Sequence, residues 1–213
     1  MNFDRVAPHY RRLEMLVFGQ QLQAARSAFV RQISRARRAL LVGEGDGRVR
    51  EELLRAQPER QVEYLDASAR MLALARARVG DARVQFLHAD LSAAAFPAQR
   101  YDLIVTHFFL DCLEEAALRE VVDKLSAAAT DSATWLIADF HAPPRGRYWA
   151  RFLIASMYCF FRVAAGIDAR RLIDYAPLLR AHDFSLTREI ISPNGMIRSQ
   201  RWERSPVNRP DRS

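Results

Sequence analysis

The chain has 213 residues, half of them hydrophobic, a net charge of +7 and two cysteines. That length and apolar content suit one α/β domain with a full core, and exclude a disulfide-stapled mini-domain or a cysteine-rich zinc module. Lys124 is the one lysine among 32 basic residues; the arginines fall in nearly every predicted element and read as solvated faces, as over 67–79, so the charge does not argue for nucleic acid.

Residues 8–37 place Leu13, Leu16 and Val17, then Leu22, Ala25, Phe29 and Ile33, at helical spacing. This predicts one or two amphipathic helices ahead of a sheet. No apolar segment follows Met1, so no signal peptide is read. The most apolar window, 152–161, is too short to span a bilayer. The expected location is the cytoplasm, with Cys112 and Cys159 as buried thiols.

A strand over 39–43 then empties into Gly43, Gly45 and Gly47, with Glu44 and Asp46 between them. The helix over 47–56 follows at once (Val49, Leu53, Leu54). A strand, glycine turn and helix of this kind presents unpaired N–H groups to a ligand, as nucleotide-cofactor sites do. A dinucleotide fingerprint would need a small residue at position 48, where Arg48 stands. Glu44 and Asp46 would also repel a pyrophosphate, yet they tolerate an ammonium or a sulfonium.

The strand over 61–65 closes on Asp66, where a carboxylate can accept both hydroxyls of a ribose. After a helix over 68–79, the strand over 83–88 closes on Ala89-Asp90-Leu91, and Asp90 could receive an exocyclic amine. Both acids also read as turn or N-cap residues, because Ser68 and Ser92 stand two places on. A strand over 101–106, a helix over 114–128 and a strand over 134–139 continue the alternation. That order means a mostly parallel sheet covered on both faces. Region 146–182 reads as two helices. Ser185–Ser192, the Pro193-Asn194-Gly195 turn and Met196–Glu203 read as a hairpin.

On these residues the chain resembles the class I S-adenosylmethionine-dependent methyltransferases. The matching pieces are the glycine loop over 42–47, Tyr64-Leu65-Asp66, His88-Ala89-Asp90-Leu91, Tyr101-Asp102-Leu103-Ile104-Val105-Thr106 and Trp135-Leu136-Ile137-Ala138-Asp139. The opening Phe3-Asp4-Arg5-Val6-Ala7-Pro8-His9-Tyr10 looks like the first helix of the branch that methylates quinone precursors and related small molecules. The resemblance implies one Rossmann-like α/β domain over 1–213, with a seven-stranded, mostly parallel sheet and an antiparallel last strand. Within it, 1–37 would be an N-terminal helical extension, 38–140 the cofactor core, 141–183 a helical substrate lid and 184–204 a terminal hairpin.

S-adenosylmethionine is the cofactor so implied. Gly43, Gly45 and Gly47 would border its methionine half, Asp66 and Ala67 the ribose, and Asp90 with Leu91 the adenine. Thr106 and His107 would approach it from the fourth strand, and Tyr10 would close over the carboxylate. The family usually carries an acid two residues before the first glycine; here Leu41 stands there, and Glu44 is expected to meet the methionine ammonium instead.

In an open parallel sheet, ligands lie beyond the carboxyl ends of the strands. His107 and His141 are therefore both expected to face the methyl acceptor. His107 is the expected base, with Asp111 one helical turn on as its orienting partner, and His141 is the second candidate. The structural alternatives are a strand–helix junction residue for His107 and a turn histidine beside Pro143 and Pro144 for His141. The aromatic stretch over 147–161 reads as a substrate lid, as a packed helix, or as one side of a homodimer interface; spacing does not separate these. With Phe108 and Phe109 it favours a small, hydrophobic or aromatic acceptor. Thr106-His107-Phe108-Phe109 lacks the Asn/Asp-Pro-Pro-aromatic pattern of amino-directed base methylation, and no Pro-Cys pair occurs there. A cofactor-binding subunit without catalysis is the alternative, on the strength of Leu41.

Overall fold

Alternate residues of β1 (Arg38–Val42) go to opposite faces of the sheet, as an extended chain requires. Leu40 and Val42 enter one core and Ala39 and Leu41 the other. The computed structural model to which this strand belongs describes residues 20–44, 47–78, 82–141 and 172–205. The strands that follow are β2 (Gln61–Asp66), β3 (Val84–His88), β4 (Tyr101–His107), β5 (Ala129–Phe140), β6 (Phe184–Ile191) and β7 (Ile197–Arg204). They form one sheet in the order β3-β2-β1-β4-β5-β7-β6. The first five are parallel, and β7 runs antiparallel to both β5 and β6. The expected Rossmann-like sheet is the one observed.

Helices cover both faces. On one, α4 (Glu115–Ala128) lays Leu118, Val121, Val122 and Leu125 against Leu40, Ile104 and Trp135, and α5 (Ala176–Ala181) adds Leu179. Those α4 positions follow the three- and four-residue spacing of a helix stripe. On the other face, Leu53 and Leu54 of α2 (Arg48–Ala56) and Leu72 and Ala75 of α3 (Ala69–Arg78) pack on Leu41, Leu103 and Val105. The described part of the N-terminal segment is a short α1 (Gln21–Ser27) and a 3-10 turn at Val30–Gln32. Most of the expected lid and the first part of the N-terminal extension lie outside the described residues.

One detail departs from expectation. β5 begins at Ala129, five residues before the expected start, because α4 passes into it without a loop. Its first pairing, Tyr101 with Ala129, is separated by a bulge from Leu103 with Thr134. Arg60, in the loop between α2 and β2, is wholly buried. It donates to the carbonyls of Ala36 (2.8 Å), Leu53 (2.7 Å) and Ile33 (2.5 Å), which ties the approach to β1 to the end of α2. A bond from each guanidinium nitrogen is what makes a buried arginine tolerable.

The placement that matters for function is that β1 lies between β2 and β4. The chain builds outward from β1 on one side and then crosses to the other, and the crevice at such a reversal is where open α/β sheets hold ligands. No helix among the described residues is long and apolar enough to cross a membrane.

Candidate functional site

A cleft of about 280 Å³ opens at this reversal, at the carboxyl ends of β1 to β4. One wall comes from Val42, Gly43 and Glu44 after β1, Asp66 and Ala67 at the end of β2, and Asp90 and Leu91 after β3. Gly43 has a φ of +62°, and a Cβ there would lie 2.5 Å from Cδ2 of Phe109. Glycine is therefore required, and its N–H is fixed to the carbonyl of Leu65 at 2.9 Å. Gly47, with a φ of +81°, caps α2 and would bring a Cβ to 3.1 Å from that of Ala75. It packs two helices together and does not line the cleft.

Both acids of this wall also hold turns. Asp66 accepts the Ser68 N–H at 2.8 Å, and the Ser68 hydroxyl accepts the Met71 N–H at 3.1 Å to start α3. Asp90 accepts the N–H and the hydroxyl of Ser92 at 2.9 and 2.8 Å. These hydrogen bonds hold the Asp90 carboxyl below the usual carboxylate range, with Lys124 adding to them. The turn reading and the cleft reading thus coexist at each position. Lys124, reaching from α4, donates to the carbonyls of Leu91 (2.9 Å) and Ser92 (2.6 Å) and pins the segment that carries Asp90.

The opposite wall is drier. His107 ends β4, is 3 % exposed, and lines the cleft. Burial, and then the charge of Arg26, push its pKa down to about 3. The ring is therefore neutral at physiological pH and a poor proton acceptor, which works against the expected base role. Among the described residues, its Nδ1 has no hydrogen-bond partner. Phe108 follows with a left-handed φ of +55°, and its N–H meets the carbonyl of Ala138 at 2.6 Å. Leu110–Cys112 is then a single 3-10 turn. No α-helix carries Asp111 back over His107, and the expected pairing is corrected accordingly. Asp111 accepts the Phe140 N–H (3.3 Å) and the thiol of Cys112 (3.5 Å).

Beneath this loop lies Asp139, 2 % exposed, which accepts the Phe109 N–H at 3.2 Å. Burial and the neighbouring Asp111 raise its pKa well above the ordinary carboxyl value. Two more expectations are corrected here. Thr106 turns its hydroxyl to accept Trp135 Nε1 at 2.9 Å and does not line the cleft, because its strand position faces the core. His141 leaves the cleft as well, because β5 pairs with β7. Its N–H bonds to the carbonyl of Met196 at 2.7 Å, and Arg198 and Glu189 are its charged neighbours. Tyr10 and Gly45 lie outside the described residues.

Arg26 is the residue that sequence reasoning missed. It stands on α1, is 5 % exposed, and lines the cleft. Its guanidinium lies over the Phe108 ring at 4.9 Å, with Nε 4.0 Å from the carboxylate of buried Glu44. One arginine among many on a helical face carries no signal of such a position. Lys124 could have been singled out for being the sole lysine.

Residues 39–131 match the family model described as a methyltransferase domain. The chain is 30% identical over 105 residues to an uncharacterised methyltransferase of Mycobacterium tuberculosis, a match covering 48% of this chain and 50% of that relative. The chain therefore spans about half the length of the curated relatives it matches. Among solved structures it resembles the 1,6-didemethyltoxoflavin-N1-methyltransferase of Burkholderia thailandensis, which holds 1,6-didemethyltoxoflavin and S-adenosylhomocysteine. The TM-score is 0.66 at 18% identity over 94% of this chain and 85% of that one. An S-adenosylmethionine-dependent methyltransferase of Mesorhizobium loti gives a TM-score of 0.66 at 18% identity, over 86% and 100%. At these identities the likeness to solved structures is one of fold.

Proposed function

We propose that this chain, whose residues 39–131 match a methyltransferase domain, is a class I S-adenosylmethionine-dependent methyltransferase that transfers a methyl group from that cofactor to a small hydrophobic or aromatic metabolite. The observation that carries the reading is the cofactor wall of the cleft: a glycine with no room for a side chain, followed by an acid at the end of each of the next two strands' turns. S-adenosylmethionine supplies a methyl group on a sulfonium that departs as a neutral thioether. In this reading Gly43 leaves the main chain open to the methionine part, Asp66 and Ala67 hold the ribose, and Asp90 with Leu91 meets the adenine. Glu44 takes the place of the missing acid at Leu41 and faces the ammonium. Tyr10 and Gly45 keep their expected places in the reading, and 1–213 acts as one unit in the cytoplasm.

Phe108, Phe109, Leu113 and Val121 line the remaining space, and such a surface favours an apolar acceptor. The toxoflavin-precursor enzyme is a fold relative that takes a small molecule of this sort. Isothermal titration with S-adenosylmethionine and S-adenosylhomocysteine tests the first half of the reading, and binding of both is expected. A screen of phenols, quinols and small amines with methyl-labelled cofactor tests the second half. A second reading, a cofactor-binding subunit without catalysis, is favoured by Leu41, which is fully buried in the core where the family carries an acid. Binding of both cofactor forms without transfer to any acceptor would select it; absence of binding would remove both.

A further inference from the structure

We propose that the acceptor is an acidic hydroxyl compound, a phenol or enol, that is bound as its oxyanion by Arg26 and the ring N–H of His107. This rests on the methyltransferase reading and narrows its substrate class. Three observations on the dry wall carry it. Arg26 holds a cation inside the cleft, seated on the face of Phe108 and steadied by Glu44 at 4.0 Å. A guanidinium on an aromatic face, with low exposure, keeps its charge. His107 lines the same cleft with a buried Nδ1 that has no partner among the described residues, and a buried polar atom of that kind is costly unless a ligand meets it.

The third observation is a matter of proton bookkeeping. Among the described residues, neither His107 nor the loop after it offers the cleft a group suited to take a proton at neutral pH. His107 is too weak a base, and neither Asp139 nor Asp111 lines the cleft. Among the described residues, the ionisable groups facing His107 and its loop are Arg26, Glu44, Asp111, Cys112 and Asp139, and burial raises the Cys112 thiol as well. An acceptor that arrives ionised needs none of them. As its oxygen lone pair forms the O–C bond, the C–S bond breaks with its electrons going to sulfur. The anion and the sulfonium cancel, and no proton is left over. Arg26 and His107 then act by touching the reacting oxygen and lowering its pKa, which a cation in a dry site does strongly.

The test is spectroscopic and does not depend on turnover. 4-Nitrophenol, whose phenolate absorbs in the visible, is titrated with pH in the presence of the full-length chain saturated with S-adenosylhomocysteine. The inference expects the phenolate band of the bound molecule to persist about 1–2 pH units below that of the free phenol. It also expects 4-nitrotoluene, of similar shape and without the hydroxyl, to bind at least about tenfold more weakly. Arg26→Met removes the shift and Arg26→Lys retains part of it; His107→Asn, whose amide nitrogen can occupy the Nδ1 position, retains more than His107→Leu. Should Arg26→Met fail to fold, the wild-type pH titration decides alone. Bound nitrophenol that titrates as in water, or no nitrophenol binding while S-adenosylhomocysteine binds, overturns the inference and leaves the methyltransferase reading standing. Failure to bind S-adenosylhomocysteine removes both.

Discussion

The two walls of the cleft are built by different physics. The wall after β1, β2 and β3 is made by short-range main-chain devices: a left-handed glycine at 43, an Asp–Ser turn at 66–68 and another at 90–92. Its carboxylates are anchored by neighbours two residues away. The wall after β4 is made by distant segments that meet only on folding. Arg26 comes from α1 to lie on Phe108, and Asp139 comes from β5 to catch the Phe109 N–H. Both walls hold buried charge, Glu44 and Asp66 on the first and Arg26 on the second, but on the second the groups that alter one another's titration come from distant segments.

The walls touch at Gly43 and Phe109, and the largest expected effect follows from that contact. Gly43→Ala puts a methyl group where the Phe109 ring lies, at a φ that side chains resist. A loss of roughly 3 kcal/mol in S-adenosylhomocysteine binding is expected, measured by calorimetry. Adding Phe109→Ala should recover part of it, because the clash is removed while the backbone strain stays. If the double variant binds no better than the single one, the walls are not coupled through this contact.

Next in size is Asp66. Asp66→Ala should weaken cofactor binding by about 1–3 kcal/mol through loss of a charged hydrogen-bond acceptor. Asp66→Asn separates the two jobs of the residue. Its amide oxygen can still accept the Ser68 N–H, so the melting temperature should stay near wild type while cofactor affinity falls. An Asn variant with wild-type affinity would leave Asp66 as a turn residue alone.

The first wall was legible because its signals are local. Gly43, Asp66 and Asp90 each sit at a strand end that alternation places, and the mostly parallel sheet followed from the same alternation. The second wall was not legible. The expectation of Asp111 over His107 assumed an α-helix directly after β4, but the left-handed turn at Phe108 and one 3-10 turn send the carboxylate toward Phe140. The place of His141 depended on which side of β5 the returning strand β7 would pair, which spacing does not encode. Arg26 needed the position of α1 against the sheet. Burial of Arg26 and Arg60 also shows the limit of reading arginines as solvated from composition.

Asp139 gives a sharper contrast through pH. Its folded pKa is raised, first by burial and then by Asp111. Between the ordinary carboxyl value and that raised one, the folded chain keeps a proton that the unfolded chain has released. Stability therefore falls as pH rises through this window. Asp139→Asn retains an oxygen for the Phe109 N–H and removes the titration. The variant should be more stable than wild type at pH 8 by on the order of 1–2 kcal/mol, with a flatter dependence of Tm on pH. A parallel loss of stability with pH in both proteins would show that Asp139 is ionised in the native state.

The smallest effect tests whether the first wall is as self-sufficient as its local turns imply. Lys124 is a long-range device there, joining α4 to the carbonyls of Leu91 and Ser92. It lies near the surface, where such hydrogen bonds are screened and compete with water, and its carbonyl partners keep access to solvent when it is removed. Lys124→Met should then cost about 0.5–1 kcal/mol of S-adenosylhomocysteine affinity, with little change in Tm. The reason for a small value is that Asp90 remains tied to Ser92 by two bonds of its own and holds the turn without help. A loss as large as that of Asp66→Ala would mean that α4 sets the Asp90 end of the cleft, and that the local turn is only its consequence.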